Sequence, residues 1–192
     1  MSLLERGFKT WAEKFAEALR KEMELGHHEP MDLSRLALLF GASICTPSDI
    51  KGMSAEHLSQ LLHKDTSGWS AVTVVTDSSS LIIYNPSHSQ GRTASNIAHE
   101  VAHLILEHEP TKLVLSQEGT LVMRSFNPKQ EEEANWLAWC LLLPRQGLVA
   151  SLKKRQSIAD IASVFGVSET LVKFRVQMTG ARVQVKRFSI ST

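Results

Sequence analysis

Ala98-His99-Glu100-Val101-Ala102-His103-Leu104-Ile105-Leu106-Glu107-His108 is the stretch on which the reading of this sequence turns. Ile97, Val101, Leu104 and Ile105 recur at steps of three and four, the spacing of a helix with one face in a core. His99 and His103, four residues apart, stand one above the other on such a helix. Two imidazoles so placed can meet one Zn²⁺ at about 2.0–2.1 Å. Polar groups set along a largely apolar helix need partners, and a shared metal satisfies both. Glu100 follows the first histidine and completes an HExxH motif. In that motif the carboxylate takes the proton of the water that the metal activates and passes it to the leaving amine of a peptide.

A catalytic zinc needs a third protein ligand and one open position. The extended motif HExxHxxGxxH would require glycine at position 106 and histidine at 109, where this chain has Leu106 and Glu109. His108, five residues after His103, is expected to face away from the pair. The better candidates lie in Glu131-Glu132-Glu133-Ala134-Asn135-Trp136-Leu137-Ala138-Trp139-Cys140-Leu141-Leu142-Leu143-Pro144. Glu131, Ala134, Ala138, Leu141 and Leu142 share one helix face, so Glu131 heads an apolar stripe that points into a core. Glu131 is the expected ligand, with Glu133 the alternative. Glutamates also suit the positive end of a helix dipole, which accounts for the others in the run. Asn135, one turn after Glu131, is placed to accept a ring N–H from a metal-bound histidine. Two histidines and a carboxylate favour zinc over manganese.

Outward from these two segments the elements follow from periodicity and breakers. Leu4, Phe8, Trp11, Phe15 and Leu19 mark an amphipathic helix over about 3–23, broken by Gly26-His27-His28-Glu29-Pro30. His27 and His28 read as solvated turn residues. A second helix spans Leu33–Phe40 behind Asp32 as N-cap; Ala42–Cys45 is a short strand, and Ser54–His63 a third helix. Trp69–Thr76 and Leu81–Tyr84 form a hairpin, and Lys112–Ser116 with Thr120–Arg124 a second one around Gln117-Glu118-Gly119. Between them the HExxH helix runs from about Thr93 to Glu109, and Lys129–Leu143 is a helix stopped by Pro144. The fold class is α+β, zincin-like, with a small sheet beside the HExxH helix and a helical C-terminal segment.

The 192 residues are 43% hydrophobic and 21% charged, ordinary for one globular domain with a small appendage. No apolar run reaches the length of a membrane span, and no secretory signal is legible. Cys45 and Cys140 lack metal-site spacing, so a reducing cytoplasm is expected. Residues 1–144 carry 12 Lys+Arg and 18 Asp+Glu, a balance of −6; residues 145–192 carry nine and two, a balance of +7. That asymmetry suggests two parts with different partners, the plainer alternative being a solvated basic face. The expected division is 1–144, a zincin-like domain carrying the HExxH site, and 145–192, a basic helical subdomain packed on it.

At the two site segments the chain resembles the ImmA/IrrE family of metallopeptidases. Arg92 and Asn96-Ile97-Ala98-His99-Glu100-Val101-Ala102-His103 match its first block, an Arg followed by T-x-A-H-E-x-x-H. Its second block, E-x-x-A-N-x-F-A-x-x-L-L-M-P, falls on Glu131, Ala134, Asn135, Leu137, Ala138, Leu141, Leu142, Leu143 and Pro144. The departures are Ser95, Asn96, Ala102 and Leu137, none of which removes an ionisable position. Weaker likenesses extend the match over about residues 30–180. The resemblance implies a zinc-dependent endopeptidase of a bacterial or phage-infected cell. It also implies a protein substrate, typically a helix-turn-helix repressor of a mobile element or a stress response.

Ser157–Phe165 and Ser168–Met178 read as helix, turn, helix, with Ser157, Asp160 and Ser168 as capping residues. The alternative function is therefore a DNA-binding regulator with a non-catalytic metal site, in which Lys173 and Arg175 touch DNA. The apolar character of the second helix leaves few side chains for base edges, so the peptidase reading stands first. Tyr84, His88 and Arg175 are the candidates for oxyanion or substrate contact. Arg182–Ile190 alternates loosely, the pattern of an edge strand or a tail.

Overall fold

The segment Pro128–Leu142 forms a helix, α5, in which Ala134, Trp136, Leu137, Ala138, Cys140, Leu141 and Leu142 are all buried. A helix apolar on most sides is stable only when other elements surround it, and the fold is built around this one. The computed structural model describes residues 3–64, 66–75, 79–108, 113–115, 121–123 and 127–190. Two helices lie along α5: α1 (Phe8–Glu22), through Ala12, Ala16 and Leu19, and α4 (Gln90–Ile105), through Ile97, Ala98, Val101 and Ala102. Small residues on both let the helix axes approach closely.

Both ends of α5 are capped by side chains. Asn127 accepts hydrogen bonds from the N–H groups of Lys129 and Gln130, and Pro128 occupies the first turn, where its missing N–H costs nothing. The C-terminal carbonyls, which have no partners within the helix, meet two buried arginines. Arg175, fully buried, donates to the Leu143 carbonyl from Nε (3.1 Å) and Nη2 (3.0 Å) and to Glu13 Oε1 from Nη2 (2.8 Å). Arg20 donates from Nη1 to the Leu141 carbonyl (3.4 Å) and from Nη2 to the carbonyls of Gly26 (2.9 Å) and Glu29. Burial lowers the Arg20 pKa from its ordinary value. The negative end of the helix dipole is the reason cations are held here. The expectation that Arg175 contacts DNA or substrate is thereby corrected: its guanidinium closes α5 inside the core.

The sheet stands beside α4. Among the described residues, β1 (Ala42–Cys45), β2 (Ala71–Val75) and β3 (Ser80–Tyr84) are ordered β1-β3-β2. β2 and β3 are the expected antiparallel hairpin, with Thr73 opposite Ile82; β3 also pairs parallel with β1, Ile44 opposite Ile82. Ile82 is fully buried at the centre. β4 (Leu113–Leu115) and β5 (Leu121–Met123) pair antiparallel as a separate ribbon, whose Gln117-Glu118-Gly119 connection lies outside the described residues. Upstream, α2 (Leu33–Leu39) starts at Asp32, whose side chain accepts the Arg35 N–H. α3 (Ala55–Ser59) is capped by Ser54 and widens into a π-helical turn over Gln60–Lys64.

Four helices follow: α6 (Arg145–Lys153), α7 (Ile158–Phe165), α8 (Glu169–Thr179) and α9 (Ala181–Ile190). One cluster of buried side chains runs from Ala12 to Ala181 and includes residues of both α1–α5 and α6–α9. Two glycines mark close approaches. A Cβ at Gly147 would lie 2.5 Å from the His27 carbonyl oxygen, and one at Gly91 would lie 2.7 Å from the Ser168 nitrogen. The first turn of α4 therefore abuts the α7–α8 turn. The C-terminal segment is helical, which corrects the strand or tail expected for Arg182–Ile190. Ala181 is buried and Val185 packs on the core, a spacing of four that suits a helix lying on α6. In α8, Leu171, Val172 and Val176 also face inward, while exposed Lys173 pairs with Glu169 at 3.2 Å. No helix among the described residues is long and apolar enough to cross a membrane.

Candidate metal centre

The contact between α4 and α5 brings three side chains to one point. His99 and His103, one turn apart on α4, set their Nε2 atoms 3.0 Å from each other. Glu131, in the first turns of α5, places Oε2 3.3 Å from His99 Nε2 and Oε1 3.5 Å from His103 Nε2. Ligand atoms around a tetrahedral zinc with bonds of 2.0–2.1 Å are about 3.3–3.4 Å apart. The two imidazole nitrogens, and each imidazole with its nearer Glu131 oxygen, are separated by distances close to that value, so the group is of a size to close on one zinc ion. The side chains keep 21%, 22% and 32% of their surface exposed, which leaves an approach from solvent. Among the described residues this is a group of three metal-type side chains whose ligand atoms all lie within 4.8 Å of one another.

The donor set also has suitable chemistry. Asn135 Oδ1 lies 3.1 Å from His99 Nδ1 and accepts its N–H. A neutral imidazole carries one N–H, so this bond leaves a lone pair on His99 Nε2, directed at the shared point. Burial, reinforced by the neighbouring His99 and His108 rings, pushes the His103 pKa down to about 3. His103 is therefore neutral at physiological pH, the form that binds a metal.

Glu100 projects from α4 toward the sheet, where Thr73 Oγ1 donates to its Oε2 at 2.5 Å. Nothing in the sequence around Thr73 points to this role. The residue lies on another element 27 residues upstream, and a lone threonine in a Val-rich strand carries no local signal.

His108 departs from expectation. A continuing helix would turn it away from the pair, yet its Nδ1 lies 2.9 Å from His103 Nδ1 and its Nε2 lies 3.3 Å from Glu133 Oε2. The helix stops earlier than expected. Glu107 takes a left-handed conformation (φ 51°), its N–H bonding to the Leu104 carbonyl and that of His108 to the His103 carbonyl. This paired pattern is the Schellman termination, usually supplied by glycine. It folds His108 back over the last turn. Pro110 marks in the sequence that the helix closes by about residue 109, but not the earlier stop.

The other candidates are spread out. Glu133 lies with His108, apart from the His99–His103–Glu131 triangle. Tyr84 closes β3 opposite Ala71 and packs on the core. His88 holds Asn96, with Nδ1 and Nδ2 3.2 Å apart, one helical turn before Glu100; burial and Arg92 lower its pKa. Neither Tyr84 nor His88 shares a hydrogen bond with the triangle. His28 sits in a loop with Nε2 3.2 Å from Lys154 Nζ.

Two histidines a turn apart, a carboxylate from a second helix and a glutamate beside the first histidine make up the donor pattern of a metal-dependent peptidase. The family model of the IrrE N-terminal-like domain, Peptidase_M78, matches residues 56–177, more than half of the chain. The chain belongs to this metallopeptidase family. The match runs from α3 to α8 and takes in both site helices. No curated protein matches the chain.

Proposed function

We propose that the protein is a zinc-dependent endopeptidase in which His99, His103 and Glu131 hold the metal and Glu100 is the general base. The observation that carries this reading is the convergence of those three side chains on one point, with Glu100 on the same helix. A zinc ion there would supply Lewis acidity toward a peptide carbonyl and bring a water's pKa to about 7. The chain's own residues do the rest. Glu100 takes a proton from the attacking water and returns it to the departing amine, so the proton count balances over the cycle. Thr73 holds the Glu100 carboxylate from one side, which limits its rotation.

The sheet supports a polypeptide substrate. The Asn85 N–H donates to the Ser70 carbonyl at 2.9 Å. In the β2–β3 register, Val72 with Ile83 and Val74 with Leu81 are then the hydrogen-bonded pairs. Ala71, Thr73 and Val75 turn their backbone groups to the free edge, and β2 is an edge strand among the described residues. An extended peptide could pair there beside Glu100. We propose a folded or partly folded protein substrate, and by family resemblance a helix-turn-helix repressor in the cytoplasm. The burial of Arg175 removes one of the two cations on which direct DNA reading rested.

Zinc content of the purified chain tests the site. About one zinc per chain, lost in Glu131→Ala, is expected. Glu100→Gln is expected to keep the metal while cleavage falls by at least about 10²-fold. Absence of zinc after reconstitution, or wild-type cleavage by Glu100→Gln, overturns the proposal.

A further inference from the structure

Zinc binding requires a lone pair on Nε2 of both histidines. For His99 the Asn135 side chain settles this. For His103 the partner is another histidine, whose own proton could sit on either nitrogen. The structure contains the group that decides. Glu133 Oε2 lies 3.3 Å from His108 Nε2, and Lys129 Nζ lies 3.8 Å from Glu133 Oε1. A carboxylate can only accept and a neutral imidazole carries a single N–H, so neutral His108, the form its burial favours, has its proton on Nε2 and a lone pair on Nδ1. That lone pair faces His103 Nδ1 at 2.9 Å, so His103 must donate its own N–H there. His103 Nε2 is left unprotonated and aimed at His99 and Glu131. The rings of His103 and His108 meet edge to face at 4.9 Å between centroids, which also fixes the plane of His103. His108 and Glu133 keep only 7% and 14% of their side-chain surface exposed, so water competes weakly for these bonds.

We infer that His108 and Glu133 are positioning residues, a carboxylate–histidine pair that fixes the tautomer and orientation of His103 as a metal ligand. The inference rests on the reading of His99, His103 and Glu131 as the zinc site. It gives α5 three distinct duties toward α4. Glu131 faces the metal point directly, Asn135 orients His99, and Glu133 orients His103 through His108. Glu133 reaches its target only because the left-handed Glu107 turns His108 back.

The test is zinc affinity of the full chain, measured by competition with a chromophoric chelator at one fixed pH. Loss of a group that orients a ligand weakens metal binding by about 10–100-fold. His108→Phe keeps a ring in the space but offers no acceptor, and that loss is expected. His108→Asn restores an acceptor near the Nδ1 position, and affinity is expected to return to within about fivefold of wild type. Zinc binding by His108→Phe within about twofold of wild type overturns the inference. So does equal weakness of the Phe and Asn variants, which would mean packing alone. Should His108→Phe fail to fold by circular dichroism, Glu133→Leu serves instead. A loss of at least about threefold is then expected, and unchanged affinity overturns the inference. A wild-type chain that binds no zinc sinks the site itself. Zinc binding that is lost in His103→Ala but indifferent to His108 sinks only the relay.

Discussion

Replacing Arg175 with methionine separates a structural from a functional reading of the C-terminal helices. Arg175 is fully buried and makes three hydrogen bonds, two to the Leu143 carbonyl and one to Glu13. Methionine fills a similar length with no donor. The Leu143 carbonyl then loses its partner at the C-terminus of α5, and Glu13, with 18% of its side chain exposed, keeps an unpaired charge. Removing one member of a buried ion pair typically costs about 3–5 kcal/mol. Glu13 retains some access to water, so the lower end applies, about 3 kcal/mol. With roughly 2.1 cal/mol/K of unfolding entropy per residue, the 192-residue chain has about 0.4 kcal/mol/K. The expected fall in Tm is therefore about 7 °C, read by calorimetry on metal-free protein. Arg175→Lys keeps the charge but not the paired donors, and is expected to fall between the two. A melt within about 2 °C of wild type, with substrate or DNA binding lost, would refute the reasoning and return Arg175 to the surface role.

Two further outcomes follow from the site. Thr73→Val removes the donor to Glu100 while keeping a β-branched side chain in β2. A hydrogen bond to a charged group is worth about 1.5–3 kcal/mol, so kcat is expected to fall by up to about 10–100-fold with zinc content unchanged. A fall in bound zinc instead would place Thr73 in metal retention. The metal-free protein is expected to lose stability as pH falls from about 6.5 toward 3. Over that window the unfolded chain protonates His103 while the folded chain, with its pKa near 3, does not. The slope from this one group is at most about 1.4 kcal/mol per pH unit. Urea midpoints at pH 7 and pH 5 measure it, and a His103→Phe chain with the same pH dependence would exclude His103 as the source.

Most of the elements were legible because their signals are local. Asp32, Ser157 and Ser168 cap the helices they were expected to cap, since a cap needs only its own residue and the next three. The β2–β3 hairpin was legible from two β-rich runs separated by a polar turn. The parallel addition of β1 to β3 was not, because nothing in Ala42–Cys45 names its neighbour. α6 was missed beneath Gly147, a residue that weakens a helix and is required here by the His27 backbone. α9 was misread because Val183 and Val185 alternate over too short a run to separate a period of two from one near four.

For the site, the division is sharper. HExxH on an apolar stripe determined by itself that His99 and His103 would share a face with Glu100 beside them, since those relations are set by helical geometry within five residues. The downstream block determined that a carboxylate and Asn135 would lie one turn apart on a second helix. Only the tertiary structure decided which glutamate meets the histidines, which strand holds Glu100, and where His108 and Arg175 turn. Those outcomes depend on the angle and depth at which α4 packs on α5, and on a left-handed residue at Glu107 that no local preference encodes. Packing of that kind is settled by the whole core at once, so it is written in the sequence only collectively.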